Sequence, residues 1–353
     1  MSTQLTVEGC SGYFLNHQLL MEDSYQQAVQ NQSYVLKGEV FKFSEKEATM
    51  EGEPRKRKRR KANAAPDVSA EEIFDVKHMQ ESVTKLLEVC PLRRLSISAA
   101  ENIDVNAIVE EPTVFPKFHG QNPSTSPVVT TFVGRQFLIP PKSVFYNDDI
   151  RNLSNILPNG EKFDLIVLDP PWRNKYIRRL KAVRTELSYQ MLYNEDLAAI
   201  PLDEYIHEKT LVVIWCTNSN IHHKAILETF LPKWSLKLLA KWFWIKLNDR
   251  GSLVCPFRDV GQKQPFEHIF IATHQDNVGF RFQEEFLMSI ASIIHSHKPP
   301  LFELFKKYLP TENPRCLELF ARYLYPGFTS VGLEVLKLQD IRLYDLQTKR
   351  PNE

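Results

Sequence analysis

Asp169, Pro170, Pro171 and Trp172 stand in a row directly after the apolar run Phe163–Leu168. An ionised aspartate only accepts hydrogen bonds, and each proline fixes φ and removes an N–H, so this short loop offers a carboxylate and carbonyls with few competing donors. An exocyclic amino group of adenine or cytosine has two N–H donors, which Asp169 and the Pro170 carbonyl could hold while Trp172 stacks on the base, a contact worth roughly 1 to 3 kcal/mol. Such a grip can also speed a reaction. The lone pair of an aromatic amine is delocalised into its ring, and attack on an electrophile moves the nitrogen toward sp³ geometry. Acceptors set for that geometry stabilise the transition state more than the ground state. The amine proton becomes acidic only as the new N–C bond forms, so Asp169 need not be a full general base, and no metal is required. For a bare Asp-Pro-Pro the plainer reading is a turn that caps a strand, with Trp172 as a core anchor.

The elements that must hold such a loop are legible around it. Apolar runs at 163–168, 211–216, 236–245, 266–273, 316–320 and 329–335 are expected strands, and helical patterns at 219–230 and 300–309 fall between them, with Pro300 in the first helical turn. Alternation of this kind predicts an α/β fold with a largely parallel sheet covered on both faces, in which ligands collect at the carboxyl ends of the strands. Asp169 lies at such an end.

At 353 residues the chain has room for one large α/β domain, or for one of about 200 residues with a smaller companion. The 44 basic and 43 acidic residues nearly cancel, so any electrostatic message lies in local runs. No window has the roughly 18 to 20 apolar residues of a membrane span, and the start lacks a basic region followed by an apolar core. Five scattered cysteines without a CxxC pair argue against a disulfide framework or a zinc ribbon and fit a reducing compartment. The sequence is therefore read as that of a soluble, non-secreted protein.

Two smaller stretches bear on organisation. Residues 55–61, RKRKRRK, form a solvated basic linker and a candidate nuclear import signal. After it, Ser69 and Glu72 make a capping box, and Ile73, Val76, Met79, Val83, Leu86 and Cys90 recur at helical spacing, the pattern of a packing helix. Residues 34–43 suggest short strands. The Pro-spaced residues 111–141 read as an extended connector, with a boundary near Thr130 between an N-terminal accessory region, 1–130, and a second domain, 131–345.

The order apolar strand, acid, Pro-Pro, aromatic resembles the signature of amino-group methyltransferases that act on adenine, in the Trp form typical of the MT-A70 family. NDDIRNL, DPPWRNK, SYQML, VVIWCTN, WFWIK, IIHSHKPP and LELFARYLYPGFTSVGLEVLK follow in that family's order over roughly the C-terminal 200 residues. The form DPPW-x-NK and the long C-terminal string resemble the branch that methylates N6 of adenosine in small nuclear RNA. The resemblance implies a Rossmann-like, S-adenosylmethionine-dependent methyltransferase fold, permuted so that the cofactor motif follows the catalytic one, with a smaller N-terminal region.

It also implies roles. Asp169, Pro170, Pro171 and Trp172 would be catalytic. Asp149 and Ile150 would read the cofactor adenine, Lys298 would pair with the methionine carboxylate beside His297, and Asp169 would approach the methionine ammonium. Glu318, Arg322, Leu333 and Glu334 would lie around the ribose. Trp172, Asn174, Lys175, Arg178, Arg179, Tyr189, Trp215 and Trp244 would contact the substrate; the cations among them, with Lys181 and Arg184, form a candidate phosphate track. Trp242 and Phe243 are expected in the core. His295 and His297 lack the further spacing of a metal site.

Tyr323 and Leu333 stand where close relatives usually have asparagine, and loss of one or two hydrogen bonds there would cost on the order of 1 to 3 kcal/mol of cofactor affinity. The expected protein is a monomeric nuclear enzyme, with some presence in the cytoplasm, that modifies a U2-type small nuclear RNA at a 2′-O-methylated adenosine. An adenine methyltransferase of DNA and a catalytically silent RNA-binding partner of an active relative are the alternatives.

Overall fold

The computed structural model describes residues 2–25, 32–43, 70–91, 103–111, 115–173 and 192–348. The basic run 55–61, the capping box, and Asn174, Lys175, Arg178, Arg179, Lys181, Arg184 and Tyr189 lie outside the described residues or side chains. In chain order the strands are β1 (Ser2–Val7), β2 (Cys10–Leu15), β3 (Gln32–Leu36), β4 (Phe118–Asn122), β5 (Val128–Phe132), β6 (Arg135–Ile139), β7 (Ser143–Asn147) and β8 (Phe163–Leu168). They continue as β9 (Ile206–Cys216), β10 (Leu236–Leu247), β11 (Phe266–His274), β12 (Phe286–Ile290), β13 (Cys316–Leu319), β14 (Phe328–Gly332) and β15 (Tyr344–Thr348).

Eleven of them form one sheet in the order β1-β2-β12-β10-β11-β9-β8-β13-β14-β7-β4. From β9 through β8, β13 and β14 to β7 the pairing is parallel throughout. Strands buried on both faces are apolar at nearly every position, and in FDLIVL the one acid, Asp164, stays partly exposed near the start of β8 and pairs with His207. Leu165 and Val167 enter one apolar cluster, while Ile166 and Leu168 enter the other, so the period-two alternation of the strand feeds both sides of the sheet. β9 does the same with Val213 and Trp215 against Val212 and Ile214.

The topology places a crevice at the end of β8. The chain leaves β8 for β9 on one side, and β13, reached about 150 residues later in sequence, returns to pair on the other. Ligands collect at such a switch of strand order, outside the carboxyl ends. The late position of β13 beside β8 is the permuted arrangement expected from the motif order.

Several boundaries differ from the sequence reading. Residues 111–141 are not a connector: β4 is an edge strand antiparallel to β7, and β5 and β6 form a hairpin. The prolines at 116, 123, 127, 140 and 141 bracket these strands without entering them, as a residue with no N–H must. Val133 and Gly134, both at positive φ, make the two-residue turn whose twist suits a hairpin. Thr130 lies within β5, and β1, β2 and β4, all from the first 130 residues, are strands of the main sheet. β14 ends at Gly332 instead of running to 335. Pro300 precedes its helix, which spans Phe302–Phe305 after Leu301 as N-cap. Residues 34–43 supply the end of β3, which pairs with β15, and a 3₁₀ turn, Gly38–Phe41.

The helix Ala70–Val89 has the expected face: Met79, Val83 and Leu86 are buried with Leu5, Phe14, Phe243 and Met288, so this helix covers the sheet where β1 and β2 extend it. β2 joins β12 at Gly12, where a Cβ would stand 2.3 Å from the Phe286 carbonyl oxygen. Gly12→Ala is therefore expected to pry β2 from β12 and destabilise the whole fold by about 1 to 3 kcal/mol. A urea or thermal melt of the full chain checks this; an unchanged single transition would mean that the N-terminal strands do not share the stability of the sheet.

Candidate active site

Asp169 begins the loop after β8, with its N–H donated to the Leu319 carbonyl at the end of β13 (3.4 Å). Lys298 reaches it from the HSHKPP loop: Nζ lies 3.3 Å from Asp169 Oδ1 and 3.1 Å from Glu267 Oε2. Glu267 in turn pairs with Lys246 of β10. Four charges of alternating sign thus run Asp169, Lys298, Glu267, Lys246 beneath the end of β8. Burial by itself would lower the Lys298 pKa, but Asp169 and Glu267 overcome it and raise the ammonium above its ordinary value. Burial likewise works to raise Glu267, yet Lys246 and Lys298 hold it at about 2. Buried charge persists only when paired in this way.

The prolines and Trp172 do less than expected in one respect and more in another. Trp172 is only 5% exposed, stacks on Phe230 (6.2 Å between centroids, planes 4° apart) and meets His222 at 4.8 Å. Its indole N–H is donated to the Trp215 carbonyl at 2.8 Å. A ring enclosed in this way is a core anchor, so the expectation that Trp172 stacks on a base is corrected. The Pro170 carbonyl is not free of donors either: the Trp172 N–H reaches it at 2.8 Å, leaving one lone pair for any further partner.

Trp215 and Trp244 are also interior, at 2% and 3% exposed. Trp215 borders a small cavity with Glu318, Tyr323 and Pro299, and the Lys298 ammonium lies 5.6 Å from its ring. Trp244 packs edge-on against Trp215 and donates to Ser289 Oγ at 2.8 Å, which makes it a support for the site and not a surface for substrate. Period-two alternation places Trp244 on the same face as Trp242, with Phe243 on the other. All three belong to the core.

The end of β13 and the turn after it supply the next group. Glu318 is 7% exposed beside Asp169, and burial together with that neighbouring carboxylate raises its pKa to about 8. Phe320 then takes a left-handed backbone, φ 65°, which reverses the chain so that the Ala321 N–H is donated to the Val331 carbonyl. That fold brings Arg322 Nε to 3.4 Å from Glu334 Oε2. Gly332 makes the close approach possible: a Cβ there would stand 2.8 Å from the Ala321 carbonyl oxygen. Leu333, next to it, is 54% exposed, and Tyr323 is buried.

Asp149 caps the 3₁₀ turn Ile150–Asn152 at the end of β7, and its carboxylate is gripped by the Arg151 side chain and backbone N–H. Those bonds to Arg151 hold its pKa below the ordinary carboxylate range. Ile150 is buried. The structure thus gathers Asp169, Lys298, Glu318, Arg322, Glu334 and Asp149 along the carboxyl ends of β8, β13, β14 and β7.

His297 is placed differently. It is buried against His17 of the N-terminal region (4.6 Å between centroids) and lies 6.5 Å from Phe41, and neither ring nitrogen of either histidine has a hydrogen-bond partner among the described residues. It acts as packing behind Lys298 and not as a polar contact of the cofactor. Glu267 and Lys246 are the residues that the sequence reading missed. The available signal was a lone acid in the apolar stretch of β11, where an unpaired charge could not remain.

The MT-A70 family pattern matches residues 163–334. The chain is 32% identical over 261 residues to the human N(6)-adenine-specific methyltransferase METTL4, covering 71% of this chain and 53% of that one. It is 33% identical to a DNA N6-methyl methyltransferase of Caenorhabditis elegans (60% of this chain, 56% of the relative). It is 32% identical to the N6-methyladenosine RNA methyltransferase MTA1 of Cryphonectria parasitica (50% and 53%). The chain spans about half the length of the curated relatives it matches.

The titrating groups predict an optimum of stability in pH. Burial holds His297 at about 3 and His223 at about 4, and lowers His17 and His268 well below their ordinary value. The unfolded chain binds protons at these sites from about pH 6.5 downward while the folded chain does not, so stability falls as pH drops below that point. Glu318 acts with the opposite sign. Its folded pKa of about 8 exceeds the unfolded value of 4.5, so the folded form binds the extra proton and loses stability as pH rises through 8. Urea midpoints should peak near pH 6.5, with a smaller acid slope in His17→Leu and a smaller alkaline slope in Glu318→Gln. Midpoints that are flat between pH 5 and 8 in all three proteins would refute it.

Proposed function

The chain carries an MT-A70 domain, and from that premise we propose that it transfers a methyl group from S-adenosylmethionine to N6 of adenine in a nucleic acid. The observation that carries the proposal is Asp169, fixed by Lys298 at the carboxyl end of β8 and facing the β13 turn.

The residues fit the cofactor by the chemistry of their charges. An amino-acid end needs a cation for its carboxylate and an anion for its ammonium, and Lys298 and Asp169 provide the two side by side. A ribose needs polar partners for a diol, which Arg322 and Glu334 offer. An adenine amino group needs an acceptor, and Asp149 is one, shared with Arg151. When bound, the cofactor supplies an electrophilic methyl on its sulfonium.

The chain's own work is to hold the amine. Lys298 occupies Asp169 Oδ1, leaving Oδ2 to accept one N–H of the target amino group, while the remaining lone pair of the Pro170 carbonyl accepts the other. As the nitrogen moves toward sp³ geometry both bonds strengthen, and the proton it sheds passes to Asp169 or to solvent. The Lys298 ammonium also fixes the position of the carboxylate for this role.

We place RNA first as the polymer, with small nuclear RNA carrying a 2′-O-methyladenosine target, on the strength of the DPPW-x-NK and HSHKPP strings and the cations of residues 175–184. Adenine in DNA is the second reading, favoured by the similarity to the nematode enzyme. Incubation of wild-type and Asp169→Ala protein with labelled S-adenosylmethionine and matched RNA and DNA oligonucleotides, with and without 2′-O-methyl, separates these. N6-methyladenosine by mass spectrometry should fall at least about 100-fold in the variant. Product equal to the variant's on every substrate would defeat the enzyme reading, and preference for DNA would reverse the polymer.

We further propose that residues 55–61 direct the protein to the nucleus. Replacing all seven with alanine should leave a fluorescent fusion in the cytoplasm, and unchanged nuclear signal would refute the import role.

A further inference from the structure

We propose that Arg173 and Tyr193 form a stacking platform for the nucleobase next to the target, at the mouth of the site; this rests on the nucleic-acid reading above. The Arg173 guanidinium lies over the Tyr193 ring, 4.3 Å from its centroid, yet Tyr193 remains 53% exposed and Arg173 is exposed as well. A solvated aromatic held by a cation on one face has no part in the core. Splayed-out bases stack on such tyrosines and on the planes of arginine side chains, with little preference for sequence.

The pair is fixed by a buried hub. His222, 6% exposed, sets Nε2 at 3.3 Å from the Arg173 carbonyl and Nδ1 at 2.9 Å from Asn194 Oδ1, beside Tyr193. Trp172 bridges to Leu192, whose N–H reaches the Pro171 carbonyl at 3.3 Å, and the Tyr193 N–H is donated to Asp196 Oδ2 at 3.1 Å. The platform is therefore tied to the same loop that carries Asp169. Arg173 stands four positions after Asp169, a reach of at most about 14 Å. At the stacked rise of roughly 3.4 Å per nucleotide that reach spans at most about four steps, and fewer for an unstacked strand, so the platform can serve a nucleotide neighbouring the base drawn into the site. Ile221, 72% exposed beside the hub, adds an apolar rim.

The alternative is a surface pair that merely ties two loops together. The two differ in whether the loss depends on a base. With full-length protein and single-stranded adenine oligonucleotides, Tyr193→Ala should raise KM for the oligonucleotide about tenfold with KM for S-adenosylmethionine little moved, and Tyr193→Phe should restore it. On oligonucleotides abasic at the positions flanking the target, wild type should fall to the level of Tyr193→Ala, and the variant should lose nothing more. RNA and DNA versions of each tell which polymer uses the platform. A defect of equal size on intact and abasic strands, or one shared by Tyr193→Phe, would overturn the proposal. Fluorescence-polarisation binding of the same oligonucleotides needs no turnover. Should wild type prove inactive, loss of binding in Tyr193→Ala on intact strands alone would still support the platform while the enzyme reading fails.

Discussion

Lys298 between two carboxylates is the constraint on which the rest of the site depends. A lysine so nearly buried would lose its proton without compensation, and Asp169 and Glu267 together keep it charged. In return it neutralises one acid from a loop and one from a strand, and fixes where the loop after β8 meets the start of β11. Glu267 shares the lysine, with Oε2 3.1 Å from Nζ, so that Asp169 does not balance the buried ammonium alone. With Glu267 and Lys246 completing the row, Asp169 spends one oxygen on Lys298 and retains the other.

The sheet explains why these charges can meet. Parallel pairing of β7, β14, β13, β8 and β9 brings all their carboxyl ends to one edge, and the change of direction at β8 opens the crevice there. The loops are then bent sharply to aim side chains back over it. Ser296 and Phe320 both adopt left-handed backbones, φ 61° and 65°, although neither is glycine. Such conformations cost of order 1 to 3 kcal/mol each and last only where surrounding packing imposes them. They lie two residues from Lys298 and Glu318, the buried ionisable side chains on either side of Asp169.

Much of this was legible because local pattern and tertiary fold agree. FDLIVL reads as a strand buried on both faces, and it is one; the motif order gives the permuted sheet; the helix at 70–89 shows its apolar stripe in spacing alone. Legibility failed where long-range pairing decides. Nothing local marks β4 as an edge strand of the same sheet as β8, nor the β1–β2 hairpin as its opposite margin, because the hairpin joins the sheet only through β12, far along the chain, and β4 only through β7. Glu267 stayed hidden for the same reason. Its meaning comes from Lys298, 31 positions later, and from Lys246, 21 before. His297 was misread because a motif gives neighbours along the chain, whereas His17 arrives from the other end of it.

The position of Trp172 revises how the Asp-Pro-Pro-Trp loop works. As a stacking platform it would have contributed binding energy directly; as an enclosed ring it contributes stiffness. Its indole N–H ties the loop after β8 to the Trp215 carbonyl near the end of β9, and its backbone N–H closes the turn onto Pro170. Neither proline can donate, so within these four residues the remaining N–H groups are those of Asp169 and Trp172, and both are spent on carbonyls. No N–H within these four residues is left to occupy Asp169 Oδ2. Preorganised acceptors are effective because they need not reorganise as charge develops, and here a tryptophan in the core is what supplies that preorganisation.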